Sequence, residues 1–191
     1  MCIRDRIYDG SNSQAGQESF VIGSLKEKRN GYYLEIGGYH SKDDSNTYLL
    51  ETQYGWFGAA LEIDKERSDE YNSNRSNVCL TADATTFNYL EYLENNNFPV
   101  RIDYLQIDIE PAFQSLKALE ALPLDRYRFS VVTFEHDLYA DQGNLLIKEK
   151  AKEIFKKFNY VLVKENVEHE GKIFEDWWVD SNIYNDMEIV C

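Results

Sequence analysis

The chain has 191 residues, 43% hydrophobic and 14% aromatic, which suits one globular domain with a substantial core. With 34 acidic against 20 basic side chains the net charge is −14, and nucleic acid is not expected as a partner, because its affinity comes mainly from Lys and Arg neutralising phosphates. No apolar run reaches the ~18 residues of a membrane-spanning helix, so no membrane span is expected either.

Residues 1–12 are set apart as a leader and residues 13–191 read as a single domain. The opening "MCIRDRIYDG" lacks the apolar stretch of a secretory signal. Its first six residues match nothing that follows in pattern or polarity, as a sequence artefact would. Cys2, Cys79 and Cys191 have no metal-ligand spacing and imply no disulfide framework, so a reducing, cytoplasmic setting is expected.

From residue 13 onwards, helical and strand-like runs alternate. "SQAGQESFVIGSLKEKRNG" places Phe20, Ile22 and Leu25 on one helical face and ends at Gly31. The strand "YYLEIGG" follows, then the helix "SNTYLLETQYG", with Ser45 or Asn46 to cap it and Gly55 to close it. "GAALEID" is a second strand, followed by a polar stretch. "NVCLTADA" is a third, leading to the helix "TTFNYLEYLENNN". The fourth strand, "RIDYLQIDIE", runs into Pro111 and the helix "AFQSLKALEAL". "RFSVVTFEHD" is the fifth strand, and "NLLIKEKAKEIFKKFN" is an amphipathic helix whose basic run is a solvated face.

The chain closes with "YVLVKENV", a polar turn containing Gly171, and "KIFEDWWVD". A turn that short permits only an antiparallel hairpin, since a parallel crossover needs about a dozen residues or more. The pattern therefore predicts an α/β fold: a doubly wound, mostly parallel seven-stranded sheet with a final antiparallel strand and helices on both faces.

Ligands of such sheets bind beyond the carboxyl ends of the strands. Here every tip carries a carboxylate: Glu35 before Gly37-Gly38, Glu62-Ile63-Asp64, Asp83-Ala84, Asp108-Ile109-Glu110, and Glu135-His136-Asp137. One acidic tip would be an ordinary helix cap. Five at one rim cost stability unless a ligand offsets them. The turn Gly37-Gly38-Tyr39-His40-Ser41 lacks the G-x-G-x-x-G spacing of a dinucleotide cradle, and no G-K-[ST] occurs. Glu62 suits a ribose diol, Asp83 an adenine amino group, and Glu35 and Asp108 a cationic ligand. An adenosine carrying a sulfonium and an α-amino group satisfies all of these.

The segments "YYLEIGGY", "SNTYLLE", "LEID", "DYLQIDIEP", "VVTFEHD" and "FEDWWVD", with "SQAGQESF" upstream, together resemble the FkbM-type methyltransferases. The resemblance spans roughly residues 13 to 180. It implies a class I, S-adenosylmethionine-dependent enzyme that methylates hydroxyl groups of a sugar or another small molecule. It also implies that Glu35, Gly37 and Gly38 wrap the methionine part of the cofactor, and that the helix beginning at Ser45 and Asn46 holds its carboxylate. Glu62 would bind the ribose, Asp83 the adenine, and Asp108 would stand near the transferring methyl. Tyr39, Ile63 and Ala84 count with this cofactor-binding set. The family's first motif commonly continues with another glycine, where this chain has Tyr39, His40 and Ser41.

An alcohol acceptor must lose its proton as its oxygen attacks. His136 is the expected general base, oriented by Glu135 or Asp137. His40 is a weaker candidate, and His169 is expected to be solvent-exposed in the hairpin turn. Asp108, Glu110, Glu135 and Asp137 offer the hard oxygen ligands magnesium prefers, but their spacing does not specify a site, so no metal is assigned. Trp177 and Trp178 suit a sugar-binding face or the core. Two other functions stay open. The altered glycine turn favours a non-catalytic S-adenosylmethionine-fold module, whereas an NAD-dependent oxidoreductase is disfavoured by the missing glycines.

Overall fold

The computed structural model describes residues 8–184. Within them the strands are β1 (Tyr32–Ile36), β2 (Phe57–Glu62), β3 (Val78–Thr81), β4 (Arg101–Ile107), β5 (Arg128–Glu135), β6 (Tyr160–His169) and β7 (Lys172–Asp180). The helices are α1 (Gln17–Ser24), α2 (Tyr48–Tyr54), α3 (Lys65–Asn74), α4 (Tyr89–Asn95), α5 (Ala112–Ala121), α6 (Asn144–Lys157) and the short α7 (Ser181–Tyr184).

The strands form one seven-stranded sheet in the order β3-β2-β1-β4-β5-β7-β6. Strands β1 to β5 pair in parallel, while β7 is antiparallel to both β5 and β6. This is the mostly parallel, doubly wound sheet that the alternation predicts. Strand order reverses between β1 and β4, so a crevice opens there at the carboxyl rim. Since β6 is antiparallel to β7, it runs parallel to β5. The tip of the β6–β7 hairpin therefore stands at the same rim as the ends of β1, β2, β4 and β5.

Period-two alternation sorts the side chains between two layers. Leu34, Ile36, Ala59, Leu61 and Trp178 pack with residues of α4, α5 and α6, including Leu93, Leu119 and Phe155. Tyr33, Tyr104, Val131, Trp177 and Val179 pack on the opposite face with Phe20 to Ile22 of α1 and Leu49 and Leu50 of α2. The two adjacent tryptophans thus serve opposite cores. Trp177 stacks on Phe20 at 4.5 Å between ring centroids and Trp178 on Phe155 at 4.8 Å, so neither forms a sugar-binding face.

The polar stretch after the second strand is the ten-residue helix α3, whose only buried residues are Ser68 and Tyr71. It carries almost no apolar periodicity, and its start is fixed instead by Asp64, whose carboxylate accepts from the backbone N–H groups of Glu66 and Arg67. Residues 1–7 lie outside the described residues, but Tyr8 N–H donates to Ser19 Oγ at 3.0 Å, and Ser11 Oγ and Asn12 N–H donate to the buried Glu18 at 3.0 and 2.9 Å. Among the described residues, no helix is long and apolar enough to cross a membrane.

Candidate active site

A cavity of about 580 Å³ occupies the crevice, walled by the tips of β1, β2, β4 and β5 and by the β6–β7 turn. Its floor depends on one backbone crossing. Gly37 has φ +94°, and a Cβ there would fall 1.8 Å from the Asp108 carbonyl oxygen, so only glycine lets the end of β1 pass against the end of β4. The N–H groups of Gly37 and Gly38 both donate to the Leu61 carbonyl, at 2.9 and 3.1 Å, which turns the chain over β2.

Glu35 lines this cavity at 2% exposure. Its Oε2 accepts from Thr47 Oγ1 at 2.7 Å and Tyr71 OH at 3.1 Å. Burial pushes its carboxyl up to about 7, a rise held back chiefly by the charge of Arg75. Glu62 accepts from Tyr39 N–H at 3.0 Å and Asp64 N–H at 2.8 Å, one on each oxygen, which fixes its orientation at the cavity wall. Tyr39 and Ile63 are both exposed and line the wall beside it, with the Arg67 guanidinium 3.8 Å from the Tyr39 ring centre.

Ser45 and Asn46 also line the cavity, but not in the manner expected. The Ser45 hydroxyl accepts from the N–H groups of Thr47 and Tyr48, at 3.2 and 3.1 Å, and Leu49 N–H donates to Glu18 at 2.6 Å. Side chains of the protein have thus already taken the leading donors of α2, and those groups do not face a ligand carboxylate. The group left open is Asn46 Oδ1, which is buried, has no hydrogen-bond partner and belongs to a wall residue.

On the other side of the crossing, Asp108 and Glu135 meet at the ends of β4 and β5. Burial raises the pKa of Glu135 well above the ordinary carboxyl range, and the charge of Asp108 raises it further. Asp108 is raised too, by burial and by Asp137 and Glu110, but a hydrogen bond from Glu135 works against that rise. The two carboxyls adjoin in a buried pair, and the ionised form of either disfavours that of the other. The rest of this half is Ile109, Glu110, Tyr139, His169, Glu170, Lys172 and Phe174.

Three residues expected in the site fall elsewhere. His136 is fully buried, is not a wall residue, and has its Nε2 3.4 Å from Asp176. A ring with no exposure cannot reach an acceptor proton, so its role as general base is withdrawn. Asp83 is exposed, outside the wall, and accepts from Thr85 N–H and Oγ1 at 2.9 and 2.7 Å. Ala84 is buried in the core between sheet and helices, so neither residue contacts the cavity described. Among the described residues, no group of three or more His, Cys, Asp or Glu side chains is arranged to hold a metal ion.

Residues that sequence reasoning missed come mainly from the hairpin tip. His169, expected in solvent, is partly buried and lines the cavity together with Glu170 and Lys172. The signal was present: a hairpin antiparallel to the fifth strand must return its tip to the carboxyl rim.

No protein-family model and no curated protein matches the chain. Solved structures do. An O-methyltransferase from Bacillus cereus in complex with SAH superposes with a TM-score of 0.62 at 17% identity, covering 92% of this chain and 84% of that one. The fold is the Rossmann-like one of class I methyltransferases. A proposed rRNA-methylase from Clostridium thermocellum gives 0.58 at 10% identity, over 89% and 98% of the two chains. The N-methyltransferase NodS from Bradyrhizobium japonicum gives 0.52 at 11%, over 86% and 94%. At such identities the likeness concerns the fold.

Proposed function

We propose that the protein is an S-adenosylmethionine-dependent methyltransferase, of the FkbM type, acting on a hydroxyl of a sugar or other small molecule. The observation that carries this reading is the glycine crossing at Gly37, which sets Glu35, Asn46 and Glu62 on one side of a cavity and the Asp108–Glu135 pair on the other. The residues fit the cofactor. The orphaned Asn46 Oδ1 and the carboxylate of Glu35 can accept from an ammonium, and Glu62 has lone pairs left for a ribose diol. When bound, S-adenosylmethionine supplies an electrophilic methyl on a sulfonium.

The chain's own residues orient the acceptor and take its proton. In place of His136, Glu135 in its ionised form is the base: its raised pKa makes it a stronger base than an ordinary carboxylate, and Asp108 adjoins it. The acidic wall disfavours phosphate-bearing acceptors, so nucleic acid is excluded from the proposal. The test is incubation with S-adenosylmethionine and a panel of sugars and small alcohols. A methyl gained by one of them, read by mass spectrometry, supports the reading. Transfer only to amines or RNA would overturn the acceptor class.

A further inference from the structure

Arg75 follows α3 directly, within the polar stretch after the second strand, yet it is only 7% exposed. Its guanidinium has five N–H donors, and all five are committed. Nε donates to Glu51 Oε2 at 2.7 Å, and Nη1 to the Ser41 carbonyl at 2.9 Å and Ser45 Oγ at 3.3 Å. Nη2 donates to Thr47 Oγ1 at 3.0 Å and Tyr33 OH at 3.2 Å. One planar group thereby ties together the loop after the glycine pair, the start of α2 and the body of β1.

Two of these acceptors reach Glu35. Thr47 Oγ1 receives its hydrogen bond from Arg75, so its single proton is directed to Glu35 Oε2 at 2.7 Å. Tyr33 OH lies 3.1 Å from Tyr71 OH, which donates to the same oxygen at 3.1 Å. Ser45, fixed by Nη1, is itself a wall residue and adjoins Asn46. We propose that Arg75 is the positioning residue of the donor half of the site, shaping the Ser41–Thr47 segment and, through Thr47 and Tyr33, orienting Glu35 toward the cationic end of the ligand. This rests on the methyl-donor reading above.

The electrostatics agree with the geometry. Burial raises Glu35, and Arg75 is the largest influence opposing that rise, ahead of Thr47 and Tyr71. The other titratable groups acting on Glu35 or feeling its charge are Glu18 of α1, Tyr33 of β1, Cys79 of β3 and Tyr104 of β4. Glu51 of α2 is engaged by Arg75 itself and held below the usual range against its own burial. None of these supplies a second positive charge. Without the guanidinium, Glu35 would stay protonated to higher pH, and an ammonium would lose its partner until then.

The experiment is calorimetric titration of S-adenosylhomocysteine into wild type, Arg75→Lys, Arg75→Met and Glu35→Gln, from about pH 6 to about pH 9, with circular dichroism to confirm folding. Wild type is expected to bind more tightly as pH rises through a midpoint, and Glu35→Gln to lose that midpoint. Arg75→Lys keeps the charge but not the fork, so it should bind about tenfold more weakly with the midpoint near that of wild type. Arg75→Met should bind more weakly still, with the midpoint moved to higher pH. Wild-type affinity in Arg75→Lys overturns the proposal even if Arg75→Met does not fold, and a midpoint that persists in Glu35→Gln overturns its Glu35 half. A wild type that binds no S-adenosylhomocysteine overturns the methyl-donor reading and this proposal together.

Discussion

At the residue scale, burial separates two groups that adjoin in sequence. Glu135 lines the cavity beside Asp108, while His136 faces Asp176 from a fully buried position. Glu135→Gln should therefore lower kcat by about a hundredfold or more, the usual cost of losing a general base. His136→Ala should lower the melting temperature, since it empties a buried site, but leave the pH profile of kcat where it was. A His136→Ala profile with its acidic limb abolished would reverse that assignment. The sequence showed a carboxylate at each tip, and Glu35, Glu62, Asp108 and Glu135 do gather at one cavity. It could not show which way the side chain after each tip points. In a strand that alternation is set by register, and in the loop beyond, the Phe174 carbonyl binds the N–H groups of His136 and Asp137 and turns the imidazole inward.

Elements were legible where apolar periodicity carried them. All seven strands and the hairpin follow from the pattern, because six strands feed the two main cores and β3 buries Cys79 against Ala60 and Tyr71. Helix α3 was not legible, as it buries only Ser68 and Tyr71 and depends on a capping aspartate. With it went Arg75, whose role depends on partners far along the chain. The hairpin carries a prediction of its own. His169, Glu170 and Lys172 line the cavity from the hairpin, which the strand order sets beyond β5 and away from the β1 and β2 tips of Glu35 and Glu62, on the side proposed for the acceptor. Replacing His169 or Lys172 by Ala should raise KM for the acceptor several-fold and leave the affinity for S-adenosylhomocysteine within about twofold, as expected for uniform binding to one substrate. A loss of S-adenosylhomocysteine affinity instead would place the turn in the donor half.

At the scale of the whole molecule, buried carboxyls couple folding to pH. Burial pushes Glu35 up to about 7 and Glu175 up to about 8, and Asp108 and Glu135 are raised as well. A carboxyl raised in the folded state contributes stability in full below its unfolded pKa, near 4.5, and loses it as pH rises through the folded value. Opposing groups, Asp176 and Asp180 among them, are held below the ordinary range and lose their contribution only in acid. For Glu35 alone the loss is on the order of 3 kcal/mol. The ligand-free protein should therefore melt several degrees lower at about pH 8.5 than at about pH 5.5. A melting temperature that is flat or rises over that interval would contradict these buried protonated carboxyls.

The central claim is that the glycine crossing builds a site for a cationic adenosine ligand rather than a dinucleotide. Calorimetric titration at about pH 8 with S-adenosylhomocysteine, and in parallel with NAD, tests it most directly. The expected result is one S-adenosylhomocysteine per chain with a Kd of about 10 μM or tighter, and no heat from NAD. No binding of S-adenosylhomocysteine, or binding of NAD with equal affinity, would contradict it.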